Sequence, residues 1–399
     1  MTKILLIPIF IASTYSIQAS EPYESIKIGD FSLGGSVRVN YVKDSSPESD
    51  TGNASRGSTQ GVFDLDMVRV NVDYKHDAFL GKFEYRWYPG FGQTENSTNY
   101  SFIHTLWLGY ALDDKTHIEV GINRVPFGPT AYGVSQSWFF DQHYYVGLSD
   151  DMDLGTKISG VYGDSLRYDV GYYPMSEPEG VGVGGESARY AYDVVDDFHE
   201  RNQVAARLIY TKKIADTTND FGVSLLYSQL EAQNNGIADG TRFAVSAHMI
   251  NHIGNFSVAT QLTRYEMSVD NDNDGKDDSL IVMGGFNYGE GVSAKAWLPS
   301  IALNYKLETP KIAWLDYALP YIEYSNIIKD ESTFNNSYMY VIGSAFSKGN
   351  WYIYTDLALA NGNYFVGPYT SSDGGTNNFG ANTGDELEYR FNINFGYYF

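Results

Sequence analysis

The chain has 399 residues, no cysteine and a formal net charge of −22, with 16% aromatic residues, 40 glycines and only 19% charged residues. The missing cysteines exclude disulfides and thiolate metal centres. Abundant glycine and aromatics with few charges fit Gly-punctuated strands and aromatic girdles, whereas a helical enzyme would carry more Leu, Ala, Glu and Lys.

At the start of the chain, Lys3 precedes a short apolar run, Ile4 to Ala12, broken by Pro8, and Ile17-Gln18-Ala19 offers a small-residue cleavage signal. This has the form of a secretory leader cut after Ala19. Losing Lys3 with it would take the charge from −22 to −23. No other stretch has the apolar length of a membrane helix, so any crossing must use strands. The expected organisation is a leader over 1–19 and one barrel domain over 20–399.

Period-two alternation then recurs down the chain. Val37, Val39 and Tyr41 interleave with Ser36, Arg38 and Asn40; Val68, Val70, Val72 and Tyr74 with Arg69, Asn71 and Asp73; Phe83, Tyr85 and Trp87 with Lys82, Glu84 and Arg86. The pattern returns at Ile118–Asn123, Leu166–Tyr172, Gln203–Tyr210, Phe243–Ala247 and Trp351–Leu357. Segments of about ten residues are the length a tilted strand needs to cross hydrocarbon. Short links near 75–77, 113–115, 163–164, 251–254, 308–311 and 348–350 separate long connections at 44–60, 89–100, 124–154, 174–200, 231–240, 266–291, 328–335 and 363–385. Eight long outer loops imply sixteen strands, an all-β transmembrane antiparallel barrel. Ser279 to Tyr288 also alternates, but a strand there would make the number odd, so it is assigned to the sixth outer loop. Pro320 conflicts locally with the strand around it.

The third long connection, RVPFGPTAYGVSQSWFFDQHYYVGLSDDMDLG over Arg124 to Gly155, is too apolar to wave in water. Its Trp138, Phe139, Phe140, Tyr144 and Tyr145, with Arg124 and Asp141, make sense if the loop folds inward as a constriction; a cap on the rim or a subunit contact is the alternative. At the other end of the chain, Leu387, Tyr389, Phe391, Ile393, Phe395, Tyr397 and Phe399 alternate with polar residues, as in a strand with lipid on one side and water on the other. An aromatic last residue is similar to the signature by which bacterial outer-membrane proteins are recognised for assembly.

VPFG, SWFF and YYVGLSDDMDLG, with LGGSVRVNY at Leu33–Tyr41 and FEYRWYP at Phe83–Pro89, resemble the phosphate-selective porin family of the O and P type. The resemblance implies a trimeric barrel of sixteen strands with inward-folded loops. That family uses a ladder of arginines and a cluster of lysines; neither matches residue by residue here, so phosphate specificity does not transfer.

Alternation turns Arg38, Arg69, Lys82, Arg86, Arg167, Arg207, Arg242, Lys306 and Arg390 inward, against Asp73, Glu84, Glu119, Asp169, Glu323, Asp356 and Glu388. The wall leans basic while the outer loops are acidic. Arg38, Arg69, Lys82 and Arg86 lie on three consecutive strands and form the candidate anion-attracting wall, unless they pair with nearby acids. Asp270, Asp272, Asp274 and Asp278 follow the spacing of a calcium loop, with Gly275 at its sixth position. Ile281 stands where the closing Glu belongs, so the alternative is a solvated acidic tip, or one bridged to lipopolysaccharide by divalent cations. The seven histidines show no metal-ligand pair, and no Ser–His arrangement points to an enzyme.

The expected protein is a non-enzymatic porin of the bacterial outer membrane, trimeric, passing small hydrophilic solutes or anions. Its expected partners are membrane lipid, lipopolysaccharide and the assembly machinery, not nucleic acid. A sugar-type porin with an aromatic track, a general diffusion porin and a plugged structural barrel remain as alternatives.

Overall fold

The structure, a computed structural model, describes residues 25–46, 57–89, 100–180, 190–234, 237–270, 279–285, 288–368, 378–384 and 386–399. Sixteen long strands run antiparallel in chain order. The first half comprises β1 (Phe31–Asp44), β2 (Val62–His76), β3 (Phe79–Tyr88), β4 (Tyr100–Ala111), β5 (Thr116–Arg124), β6 (Met152–Tyr162), β7 (Leu166–Ser176) and β8 (Phe198–Ile214). The second comprises β9 (Thr217–Ala232), β10 (Ala238–Ile253), β11 (Phe256–Asp270), β12 (Lys295–Tyr305), β13 (Tyr317–Lys329), β14 (Ser337–Lys348), β15 (Trp351–Asn361) and β16 (Glu388–Tyr398). Each strand pairs with the next, and β1 closes the sheet on β16 from Ser36↔Tyr398 to Asp44↔Arg390. Beyond that ladder, Gly35 N donates to Phe399 O at 2.7 Å and Phe399 N to Gly35 O at 3.0 Å. Closure leaves the sheet no free edge, which a lipid environment requires.

The two faces have opposite chemistry. Outward side chains such as Val37, Val70, Leu106, Leu108, Val120, Val223, Leu225, Ile322 and Ile342 are exposed, while inward Ser36, Asn40, Ser224, Ser246, Gln261, Asn304, Asn392 and Asn394 are buried. A protein folded in water would reverse this, so the outer face is a surface for hydrocarbon. Near the short turns, rings pair across neighbouring strands, including Phe31–Tyr74 at 4.9 Å, Phe79–Tyr110 at 5.2 Å and Trp351–Tyr397 at 5.0 Å. These pairs form one interfacial girdle.

The connections follow the expected rhythm. A further short turn lies at 215–216, with Ala215 at φ 51°. The link after β12 is longer than its sequence suggests, because a two-residue strand, Leu307–Glu308, continues the pairing before residues 309–316 turn into β13. Pro320 sits within β13, and the ladder to β12 breaks opposite it, between Asn304↔Tyr321 and Leu307↔Ala318. Pro299 interrupts the same ladder, between Trp297↔Ile328 and Ser300↔Ser325. A residue without an N–H can enter a sheet only where such a bond is dispensable. Leu280–Gly285 and Tyr288–Ser293 form a hairpin inside the sixth outer loop, outside the barrel sheet, and it pairs with Asp193–Val194 of the fourth. Part of the alternating stretch 279–288, Leu280–Gly285, is therefore a strand, and it does not alter the barrel count.

Candidate functional site

The third outer loop, residues 125–151 (L3), runs inside the barrel. Val125 N and Asp151 O close its base at 3.0 Å. From there it crosses to the far wall, since β13 stands eight strands round from β5 in a sixteen-strand barrel. Glu323 on β13 accepts hydrogen bonds from Ser135 Oγ (2.7 Å), Gln136 N (2.5 Å) and Ser137 N (3.1 Å). Asp356 on β15 accepts one from Trp138 N at 3.1 Å. Gln142 N donates to Ser325 Oγ at 3.1 Å, and His143 Nε2 and Thr263 Oγ1 lie 2.8 Å apart. Asp141 shapes the loop from within, accepting from Val134 N and His143 N.

The five aromatics of L3 do not share one environment. Phe139, Tyr144 and Tyr145 are buried, whereas Trp138 and Phe140 are half-buried. Arg390 on β16 stacks over Trp138 and Phe139, with its guanidinium carbon 4.8 and 5.3 Å from their ring centroids. Tyr145 stacks on Phe379 of the eighth loop at 5.0 Å, and Tyr144 meets Tyr192 of the fourth at 5.5 Å. Rings from three outer loops thus join into one cluster. Burial raises the Tyr144 hydroxyl well above its ordinary range, so it stays neutral.

The near wall carries the arginines. Arg69 on β2 and Arg86 on β3 face each other in register, and Glu84 bridges them, 2.6 Å from Arg86 Nε and 3.8 Å from Arg69 Nη1. Arg38 on β1 pairs with Asp66 at 2.8 Å, and Arg124 at the end of β5 pairs with Asp150 of L3 at 2.9 Å. Burial opposes the charge on Asp150, but the adjacent His104 ring and the Arg124 guanidinium outweigh it and hold the carboxyl below its usual range. Lys82 lies lower on β3, opposite Asp73, and is exposed. The structure therefore brings Arg38, Arg69, Arg86 and Arg124 together with acids, and leaves Lys82 towards the short-turn end. Further round, Lys157 pairs with Glu119 (3.1 Å), Arg167 with Asp220 (2.6 Å) and Arg207 with Asp169 (2.8 Å).

Two residues of this wall escape the alternation. Continued down from Val68, period two would turn Asp66 into lipid; continued from Leu106, it would do the same to His104. The ladders shift register between Arg38 and Val39 and between Glu84 and Tyr85, and the extra residues, Asp66 and His104, turn inward. Bulges re-aim side chains in this way, and here both do so at the arginine cluster. Of the calcium-like run, Asp270 ends β11, while Asp272, Asp274 and Asp278 lie outside the described residues.

No sequence-family profile matches the chain, and no curated protein matches it. Its fold is similar to solved outer-membrane structures. The outer membrane channel DcaP of Acinetobacter baumannii matches with a TM-score of 0.59 at 10% identity, covering 94% of this chain and 100% of that one. OmpT of Vibrio cholerae matches with a TM-score of 0.56 at 15% identity, over 94% of this chain and 100% of that one. An anion-selective porin from Comamonas acidovorans matches with a TM-score of 0.53 at 9% identity, over 92% and 99%. The fold is thus the sixteen-stranded barrel seen in solved outer-membrane porins, and its apolar outer face fits a lipid bilayer.

Proposed function

We propose that the chain is a porin through which small hydrophilic solutes diffuse passively across the outer membrane, with a bias towards anions, phosphate among them. One observation carries the bias: in seven of the wall's ion pairs the base is nearer the water than its acid, the fully buried Arg242–Glu200 pair excepted. The Arg38 side chain is 19% exposed and Asp66 1%; Arg69 is 24% and Glu84 10%; Arg124 is 38% and Asp150 5%. Arg86, Lys157, Arg167 and Arg207 follow the same order against their partners. Near-equal numbers of charges then still leave a positive inner surface, because the carboxylates are recessed behind the guanidinium groups. L3 supports the porin part of the reading, since it narrows the lumen from a base beside that surface.

The proposal includes a leader removed after Ala19, a homotrimer and no catalytic activity. Recording single channels under a salt gradient, followed by phosphate titration, tests it. The expected result is an anion-selective current that phosphate reduces. A cation-selective current would overturn the bias, and a current indifferent to phosphate would leave a general porin. A second reading, a plugged structural barrel, draws on the ring cluster that joins L3 to the fourth and eighth loops; the absence of any current would establish it. A sugar track is less well supported, because most of these rings face one another.

A further inference from the structure

Three carboxylates outside the arginine wall meet where L3 rejoins the barrel. Asp151 at the end of L3, Asp153 near the start of β6 and Asp193 of the fourth loop each bring an oxygen within 4.8 Å of the others. They are 3%, 2% and 1% exposed. Two oxygens bound to one calcium-sized ion at about 2.4 Å can be no more than about 4.8 Å apart, so the spacing suits a common ligand set. A second observation points to what belongs there. Neither carboxylate oxygen of Asp151 has a hydrogen-bond partner among the described residues. Beside the cluster, Gln203 donates Nε2 to Asp153 Oδ2 at 2.5 Å, and its own Oε1 is buried without a partner.

The neighbouring cation does not answer this need. Arg242 is engaged by Glu200, and its Nη2 donates to the carbonyls of Val146 (2.9 Å) and Gly147 (2.6 Å). Asp151 is thus buried in an acidic cluster with both oxygens unsatisfied among the described residues, where the nearby Arg242 guanidinium is already matched, an arrangement that is costly unless a positive charge completes it. The donors are all oxygen, which favours a hard divalent ion over zinc or copper.

We propose that Asp151, Asp153 and Asp193, with the Gln203 amide beside them, hold a divalent cation of the calcium class. Asp193 also pairs with Gly284 of the sixth-loop hairpin. The ion would fasten the end of L3 to the fourth and sixth loops at once. This site shares no residue with the Asp270–Asp278 run, and it does not depend on what the pore conducts.

The test uses the full-length barrel in detergent, stripped with EDTA, in a background carrying Asp272→Asn and Asp274→Asn to silence the sixth-loop acids. Calorimetric titration with calcium chloride should give one site per chain, with a dissociation constant of about 1 mM or tighter. Asp151→Asn should weaken it at least tenfold, and calcium should raise the thermal midpoint of the parent but not of the variant. If Asp151→Asn does not fold, Asp193→Asn serves in its place, and the calcium-dependent midpoint of the parent needs no variant at all. Equal calcium binding with and without the substitution, or a parent with neither binding heat nor midpoint shift, would overturn the proposal and leave Asp151 as a carboxyl that keeps its proton.

Discussion

Replacing Glu323 with alanine removes the acceptor that holds L3 to the far wall. Gln136 N then loses its partner in a buried site, whereas Ser137 N still donates to Ser135 Oγ at 3.1 Å and the Ser135 hydroxyl keeps Ser137 Oγ at 2.9 Å. An orphaned buried N–H costs about 1–3 kcal/mol, so losing this acceptor weakens the seating by about that much. Water entering the vacated space favours the lower end. Even 1 kcal/mol, at about that size, multiplies the population of the unlatched loop by about 5. Asp356 still accepts from Trp138 N, so the release stays local and the barrel remains intact. Chymotrypsin reads the effect, because Phe139 and Phe140 are protected while the loop is seated, and cleavage follows the open population when reclosing is fast. Glu323→Ala should be cut about 5-fold faster than the parent or more, with Glu323→Gln in between because it keeps one acceptor oxygen. Equal cleavage rates in all three proteins, with unchanged heat-modifiability of the barrel, would falsify the latch.

Arg124→Ala bares Asp150 to the lumen; a unit charge about 8 Å from the ion path is worth about 0.5–2 kcal/mol at effective dielectrics of 80 to 20, so the anion-to-cation permeability ratio should fall about 2- to 30-fold in low salt. Reversal potentials measure this, and an unchanged ratio would remove Arg124 from the selectivity wall. Gly121 in β5 has φ 131°, and a Cβ there would strike the Leu106 carbonyl oxygen. Gly121→Ala should therefore destabilise the barrel by about 1–3 kcal/mol, seen as an earlier heat shift on a gel. Deleting Phe399 removes both hydrogen bonds to Gly35 at the β1–β16 seam and the ring that lies against Gly35. Slower refolding into detergent or lipid is expected, and refolding at the parental rate would show that the seam closes without it.

Much of this protein is local and therefore legible in its residues. Alternation such as Val68-Arg69-Val70-Asn71 fixes which face meets lipid, because strand geometry turns successive side chains to opposite sides. Turn and loop lengths fix the number of strands, and the apolar content of Trp138 to Tyr145 shows that this connection must be packed against something. The sequence pattern by itself also placed Arg38, Arg69 and Arg86 on one wall. Only the tertiary structure decided what they meet. Asp66 and His104 reach the arginines because a bulge in each strand reverses the phase of the alternation, and the position of a bulge depends on pairing with a neighbouring strand. Glu323 becomes the latch of L3, and Asp151, Asp153 and Asp193 converge, because segments up to 188 residues apart in the chain are brought into contact by closure of the barrel. Residue order encodes the period of a strand; which distant carboxylate faces which backbone amide is settled only when the sheet closes on itself.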